Sequence, residues 1–359
     1  MPRLPRAKND FYSSLVQGDV HLGAFSVVDN DPDAAAAPPD RVGEVVLLAE
    51  AAERAGLSSL WVAEHHFRGG GGCPSPAVLL ASCGARTRRI RLGSLVSVLP
   101  FHRPIDVAEE YALLDRLIGG RLNLGVGSGY LPSEFAGFGV EPSAKRELFD
   151  RALTTILAAF AGEEFVATPE GSERVRLNVL PVQRPHPPLW IAAQRPEAIP
   201  HVGARGVGLA LIPYATLSDL RGLREAIASY RRSLPPGIPG RVAAAVHLYA
   251  GHHLERARHA FRSYLESRLR THSTFFEQKV QSSPARASPD ALEEADLALF
   301  GSPEEVAERL GRYAEVGVDE LLGIFDFGGL PPEDVGLSVE ALGRAWHARS
   351  ATGSTTLRP

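Results

Sequence analysis

Lysine, cysteine, methionine and long apolar runs are all scarce in this 359-residue chain. Its lysines are Lys8, Lys145 and Lys279 among 38 basic residues, and its cysteines are Cys73 and Cys83 alone. Two thiols outside any CxxC pattern build neither a disulfide framework nor a thiolate zinc site, and they read as reduced groups in a reducing cytosol. The 12 histidines form no HExxH or comparable ligand set, so no metal site is expected. No apolar run approaches the ~20 residues that cross a bilayer. The start, MPRLPRAKND, has no apolar signal core behind it. With 42 acidic against 38 basic residues the net charge is −4, which gives no long-range pull toward nucleic acid. These absences leave a cytoplasmic globular protein, with no membrane and no nucleic-acid partner. The arginine-for-lysine bias, with abundant Ala, Gly and Pro, reads as a GC-rich genome.

What is present is a regular alternation of short β-rich runs and longer amphipathic ones. Strands are expected at Val20–Val27, Leu57–Ala63, Ile90–Leu99, Arg121–Val126, Leu189–Ala193, Gly208–Ile212, Arg241–Ala250 and Glu320–Phe325. Helices are expected between them, among them Arg41–Ala55 closed by Gly56 and Pro104–Leu117 with proline in its first turn. Eight βα units in little more than 300 residues are the arithmetic of an α/β protein with a (β/α)8 TIM barrel. No GxGxxG follows the first strand, which speaks against a dinucleotide-binding open sheet. We therefore expect one domain over 1–359 with a core of about 20–348. Two segments stand outside the alternation: an inserted β-hairpin near 163–181 and a polar, Ser- and Pro-rich stretch at 271–298 that reads as a lid.

In a barrel the chemistry sits where strands hand over to helices. After the second strand come Glu64, His65 and His66, then Phe67-Arg68 and four glycines. A carboxylate and two imidazoles can move protons or act as ligands, or they can be plain surface groups. Neighbours on an extended segment point to opposite sides, so one histidine, His65, is expected to face the pocket and His66 to turn away. The fourth strand runs into Gly125-Val126-Gly127-Ser128-Gly129-Tyr130, where glycines let a ligand approach the backbone and Tyr130 could cover a ring. After the fifth, Gln194 and Arg195 precede a helix N-terminus suited to a phosphate.

Several ordered blocks resemble the bacterial luciferase-like family of flavin-dependent monooxygenases. They include Leu60-Trp61-Val62-Ala63-Glu64-His65-His66-Phe67, Leu124-Gly125-Val126-Gly127-Ser128-Gly129-Tyr130-Leu131-Pro132-Ser133-Glu134-Phe135, Leu180 to Pro188, Gly301 to Glu305 and Phe327 to Pro331. The resemblance implies the same barrel, and a reduced flavin mononucleotide (FMN) that reacts with O2 through a flavin peroxide to oxygenate a small organic substrate. It implies a homodimer, and because no nicotinamide fingerprint is visible the reduced flavin is expected to come from a separate flavin reductase. By position His65 matches the catalytic histidine, and Glu64 is read as its partner or a flavin-side carboxylate. Leu95 and Val96 match the strand end under the flavin ring, where the family often has a non-prolyl cis peptide. Gly127, Ser128, Gly129, Tyr130, Gln194 and Arg195 match flavin contacts. Many FMN members carry arginine where this chain has Ser128, and Arg195 is read as the replacement. The small residue there also fits an alternative, a deazaflavin-dependent oxidoreductase, and a further alternative is a flavin-binding relative without catalysis. The composition fits a tailoring enzyme of specialised metabolism, such as antibiotic biosynthesis.

Overall fold

The structure is a computed structural model that describes residues 20–28, 40–67, 72–166, 173–271 and 288–351. Eleven strands are formed among these residues: β1 (His21–Ser26), β2 (Ser59–Val62), β3 (Arg91–Val98), β4 (Leu122–Gly127), β5 (Phe165–Val166), β6 (Arg174–Val175), β7 (Leu189–Ala192), β8 (Gly208–Leu211), β9 (Val242–Ala250), β10 (Ala298–Gly301) and β11 (Glu320–Ile324). The order β11-β1-β2-β3-β4-β7-β8-β9 is parallel throughout, and β9 pairs with β11 to close the ring. These are the eight expected strands, and the fold is the expected (β/α)8 barrel with helices outside.

Local chemistry explains the regularity. Asp40 accepts the Gly43 N–H at the start of Arg41–Arg54, and Ser302 with Glu305 forms a capping box at the start of Pro303–Val316. Proline occupies the first turn of helices Pro76–Arg86, Pro104–Leu117 and Pro332–Ala351, where its missing N–H costs nothing. Inside the ring, Trp61 and Trp190 meet edge to face with centroids 5.6 Å apart. Each lies over a glycine of the next strand. A Cβ on Gly93 would come within 2.4 Å of the Trp61 ring, and one on Gly208 within 2.4 Å of Trp190. The two indoles fill the middle of the barrel, and the glycines opposite make room for them.

The segment at 163–181 is a hairpin outside the ring, with Phe165 opposite Val175 and Val166 opposite Arg174. The runs expected to form it are Glu164–Thr168 and Val175–Leu180; the described pairing is Phe165–Val166 with Arg174–Val175, and 167–172 lie outside the described residues. Of the stretch read as a lid, 272–287 also lie outside them. Its end is regular: Ser288 caps a helix Pro289–Glu294, and β10 begins at Ala298. β10 went unpredicted because it is four residues long and follows a polar run. It pairs with the second half of β9, from His247 to Ala250, while β11 takes the half from Ala243 to His247. No helix among the described residues is long and apolar enough to cross a membrane.

Candidate active site

A cavity of about 450 Å³ opens at the C-terminal ends of the ring strands. It lies within the range of roughly 300–1,000 Å³ usual for ligand sites. Its wall includes Glu64, His65, Leu95, Val96, Gly127, Ser128, Gly129, Tyr130, Gln194 and Arg195. All ten residues singled out from sequence thus surround one space.

The strand alternation of β2 continues past its last residue. Ala63 and His65 border the cavity, whereas His66 turns away against Phe138 and Phe101. His65 is almost fully buried. Its Nδ1 lies 3.0 Å from Glu134 Oε1, and its ring meets Tyr130 edge to face. The same Glu134 oxygen accepts the His66 backbone N–H at 2.9 Å, so one buried carboxylate fixes both the ring and the chain behind it. Glu134 sits in the short helix Pro132–Phe138 that follows the glycine loop of β4. A histidine held by a carboxylate at a cavity wall can take up and release a proton, because the carboxylate stabilises the charged ring.

Glu64 has two expected roles: its side-chain bonds among the described residues do not join it to the His65 ring, while its place in the cavity wall leaves the flavin-side role open to it. Its Oε1 lies 2.9 Å from His66 Nε2 and 2.7 Å from His102 Nε2, and its Oε2 accepts the Val98 N–H at 3.0 Å. The reason is again the alternation: the side chains of 64 and 66 meet each other while that of 65 diverges, although Glu64 still contributes to the cavity wall. Burial alone would raise the Glu64 pKa, but the bonds from His102 and His66, the charge of His102 and the Val98 amide hold it at about 2. The three ligand-type atoms of Glu64, His66 and His102 lie within 4.8 Å of one another, a spacing that a divalent ion could accept. They are already joined to each other by hydrogen bonds.

The remaining wall is built for close approach of a flat molecule to backbone. The Leu95–Val96 peptide is cis and lies at a register shift between β3 and β4. A Cβ at Gly127 would fall 2.5 Å from Val96 Cγ2, so no larger residue fits beside that peptide. Gly129 has φ +74°, which favours glycine, and brings its carbonyl to Lys145 Nζ at 3.2 Å. Lys145, Arg146, Arg195, His201 and Arg205 all border the cavity, and Arg205 is tied to Asp150 at 2.6 Å. Burial, and after it the charge of Arg195, lowers the Lys145 pKa below that of a free lysine. Two cations that repel each other at a cavity wall suit a bound anion such as a phosphate.

Sequence reasoning missed Glu134, His102 and Lys145. Glu134 stood inside a quoted block but 69 positions from His65, too far for any local pattern to connect them. Lys145 carried a signal in hindsight: it is one of three lysines in an arginine-rich chain and opens a helix. Cys73 and Cys83 are buried free thiols, and burial pushes them up to about 11 and about 12.

A family model described as luciferase-like monooxygenase matches residues 20–320. An uncharacterized protein, y4wF, of Sinorhizobium fredii is 36% identical over 217 residues, covering 60% of this chain and 62% of that one. The 4-hydroxyprotoasukamycin monooxygenase of Streptomyces nodosus subsp. asukaensis is 43% identical over 117 residues, covering 33% of this chain and 32% of its own. The chain thus spans less than two thirds of the length of these curated relatives. Among solved structures, the oxygenating constituent of 3,6-diketocamphane monooxygenase from Pseudomonas putida, in complex with FMN, superposes with a TM-score of 0.75. It covers 92% of this chain and 99% of that one at 16% identity, a likeness of fold.

Proposed function

The chain belongs to the luciferase-like monooxygenase family, and on that premise we propose that it is the oxygenase of a two-component, FMN-dependent system. It takes reduced FMN from a separate reductase and uses O2 to oxygenate a small organic substrate. The observation that carries this reading is one cavity that joins a carboxylate-held histidine, His65 on Glu134, to the cation pair Lys145 and Arg195.

The residues present fit a flavin. Gly127, where a Cβ would meet Val96 at 2.5 Å, leaves backbone open on the β4 side of the wall, suited to the ring system. Lys145 and Arg195 would hold the phosphate, and Arg195 with Lys145 takes the place of the arginine that Ser128 lacks. Gln194 would meet the ribityl chain, and Tyr130 would cover the ring edge beside His65. Reduced flavin, once bound, supplies the electrons for the reaction with O2. The chain's own part is to exclude water, with Phe25, Val27, Val98, Ile191 and Ile324 on the wall, and to manage the proton at His65. Glu64 serves this from behind by fixing the end of β3 through Val98. His65→Ala tests the assignment: flavin should still bind while turnover falls by about 10²-fold or more. Full turnover in that variant contradicts it.

Ser128 favours one second reading, a deazaflavin-dependent oxidoreductase of the same fold that makes no use of O2. An antibiotic-tailoring role is the biosynthetic setting we favour. We further propose a homodimer through neighbouring outer helices, because Leu47, Val78, Leu113 and Leu117 stand exposed on Arg41–Arg54, Pro76–Arg86 and Pro104–Leu117. Light scattering should give twice the chain mass, and Leu117→Glu should shift it toward the monomer.

A further inference from the structure

His65 faces the cavity only while the chain at 64–66 keeps its alternation, and that alternation is pinned from two sides. On one side Glu134 takes the His65 ring and the His66 amide. On the other, Glu64 gathers the His66 ring, the His102 ring and the Val98 amide. The Glu64 carboxylate is nearly inaccessible, and no lysine or arginine among the described residues is paired with it. A buried carboxylate without a counter-charge is costly. Among the described residues, the groups placed to supply one are the two imidazoles of His66 and His102. His66 is packed among Phe67, Phe101 and Phe138, whereas the His102 side chain is 29% exposed and can exchange protons with solvent.

We propose that His102 is a positioning residue: as an imidazolium it is the counter-charge that holds Glu64, and through Glu64 the segment that turns His65 into the cavity. The inference rests on the reading of His65 as the site's proton carrier. The groups facing His102 agree with this role. They are Glu64 and His66 from the end of β2, Asp106 and Glu110 from helix Pro104–Leu117, and the uncharged Phe138 ring. Burial works against the charge on His102, but the hydrogen bond and charge of Glu64, then Glu110 and Asp106, raise its pKa above 6.5. A raised pKa means stability that is fully present below 6.5 and is lost as pH rises through the higher folded value. Glu64 is lowered, so its share is present above 4.5 and is lost as pH falls toward about 2. The lock is complete between these limits.

The test uses the full chain and three proteins: wild type, His102→Gln and His102→Arg. Denaturant unfolding is followed from pH 5.5 to 9, and the His65 ring is followed by its imidazole ¹⁵N–¹H signals. We expect the wild type to lose stability on the alkaline side together with a shift of the His65 signals. His102→Gln should lower the folding constant by about tenfold or more near neutrality, flatten that alkaline loss and show the shifted His65 signals at every pH. His102→Arg, with a permanent charge, should return the neutral-pH His65 signals and hold them to pH 9. Unchanged signals and an unchanged profile in His102→Gln overturn the proposal. So does His102→Arg behaving like His102→Gln, which would make the charge irrelevant. Neither readout needs flavin, so a failure of the proposed function and a failure of this inference are separately visible.

Discussion

The two ends of the barrel use the same residue types for opposite purposes. At the closed end Asp115 is fully buried and accepts both the Gln183 N–H and its Nε2, at 2.9 and 2.8 Å. Arg91 donates to Asn123, to the Leu122 carbonyl and to Gln183, and Glu53 takes the backbone N–H groups of Arg88, Arg89 and Ile90. Each charge there is tied to backbone or to a fixed side chain, and the two tryptophans above fill the space. At the open end Glu134, His65, Lys145 and Arg195 stand around a cavity, and cation faces cation. One end is packed shut around its charges; at the other, a bonded His65–Glu134 pair and two neighbouring cations border an open cavity. That difference, rather than burial or charge as such, separates a structural polar network from a functional one.

The comparison can be broken at either end. The largest effect is expected at the mouth. Glu134→Gln removes the charge that supports a protonated His65 and should cut turnover by about 10²–10³-fold with little change in melting temperature. Steady-state rates beside a thermal scan check it. Asp115→Ala at the closed end should do the reverse, costing about 3 kcal/mol of stability because two buried donors lose their acceptor. Activity per folded molecule should hold, and denaturant titration measures the loss. Gly93→Ala places a methyl against the Trp61 ring and should cost about 1–3 kcal/mol. Gly336→Ala, with open space around it, serves as the control.

The smallest effect is at the phosphate end. Lys145→Met should weaken FMN binding by about tenfold and riboflavin binding hardly at all. The Lys145 pKa is already lowered in the free protein, and an anion would raise it. FMN affinity should therefore fall with rising pH from below the ordinary lysine value of 10.5, and Lys145→Met should lose that limb. Fluorescence quenching of the flavin across pH tests both statements.

Most of the fold was legible because it is written locally. Period, caps and strand-flanking glycines located all eight ring strands, and the same alternation rule placed His65 toward the cavity and His66 away. What escaped depends on contacts distant in sequence. Glu64 beside His65 looked like its partner, yet neighbours on an extended chain diverge, and the carboxylate on the His65 ring came from the short helix that follows β4. His102 lay between Leu99-Pro100 and Pro104, which match the family, but nothing local linked it to Glu64, 38 positions away. β10 is held by the second half of β9 rather than by its own composition. Departures such as Ser128 were visible, but the placement of Lys145 beside Arg195 at the same cavity needed the third dimension.

The most direct test of the central claim is an anaerobic titration with reduced FMN, followed by mixing with O2, run beside the same titration with a reduced deazaflavin. The account predicts stoichiometric binding of reduced FMN and a protein-dependent, transient absorbance change once O2 arrives. Binding of the deazaflavin alone, with no response to O2, would contradict it.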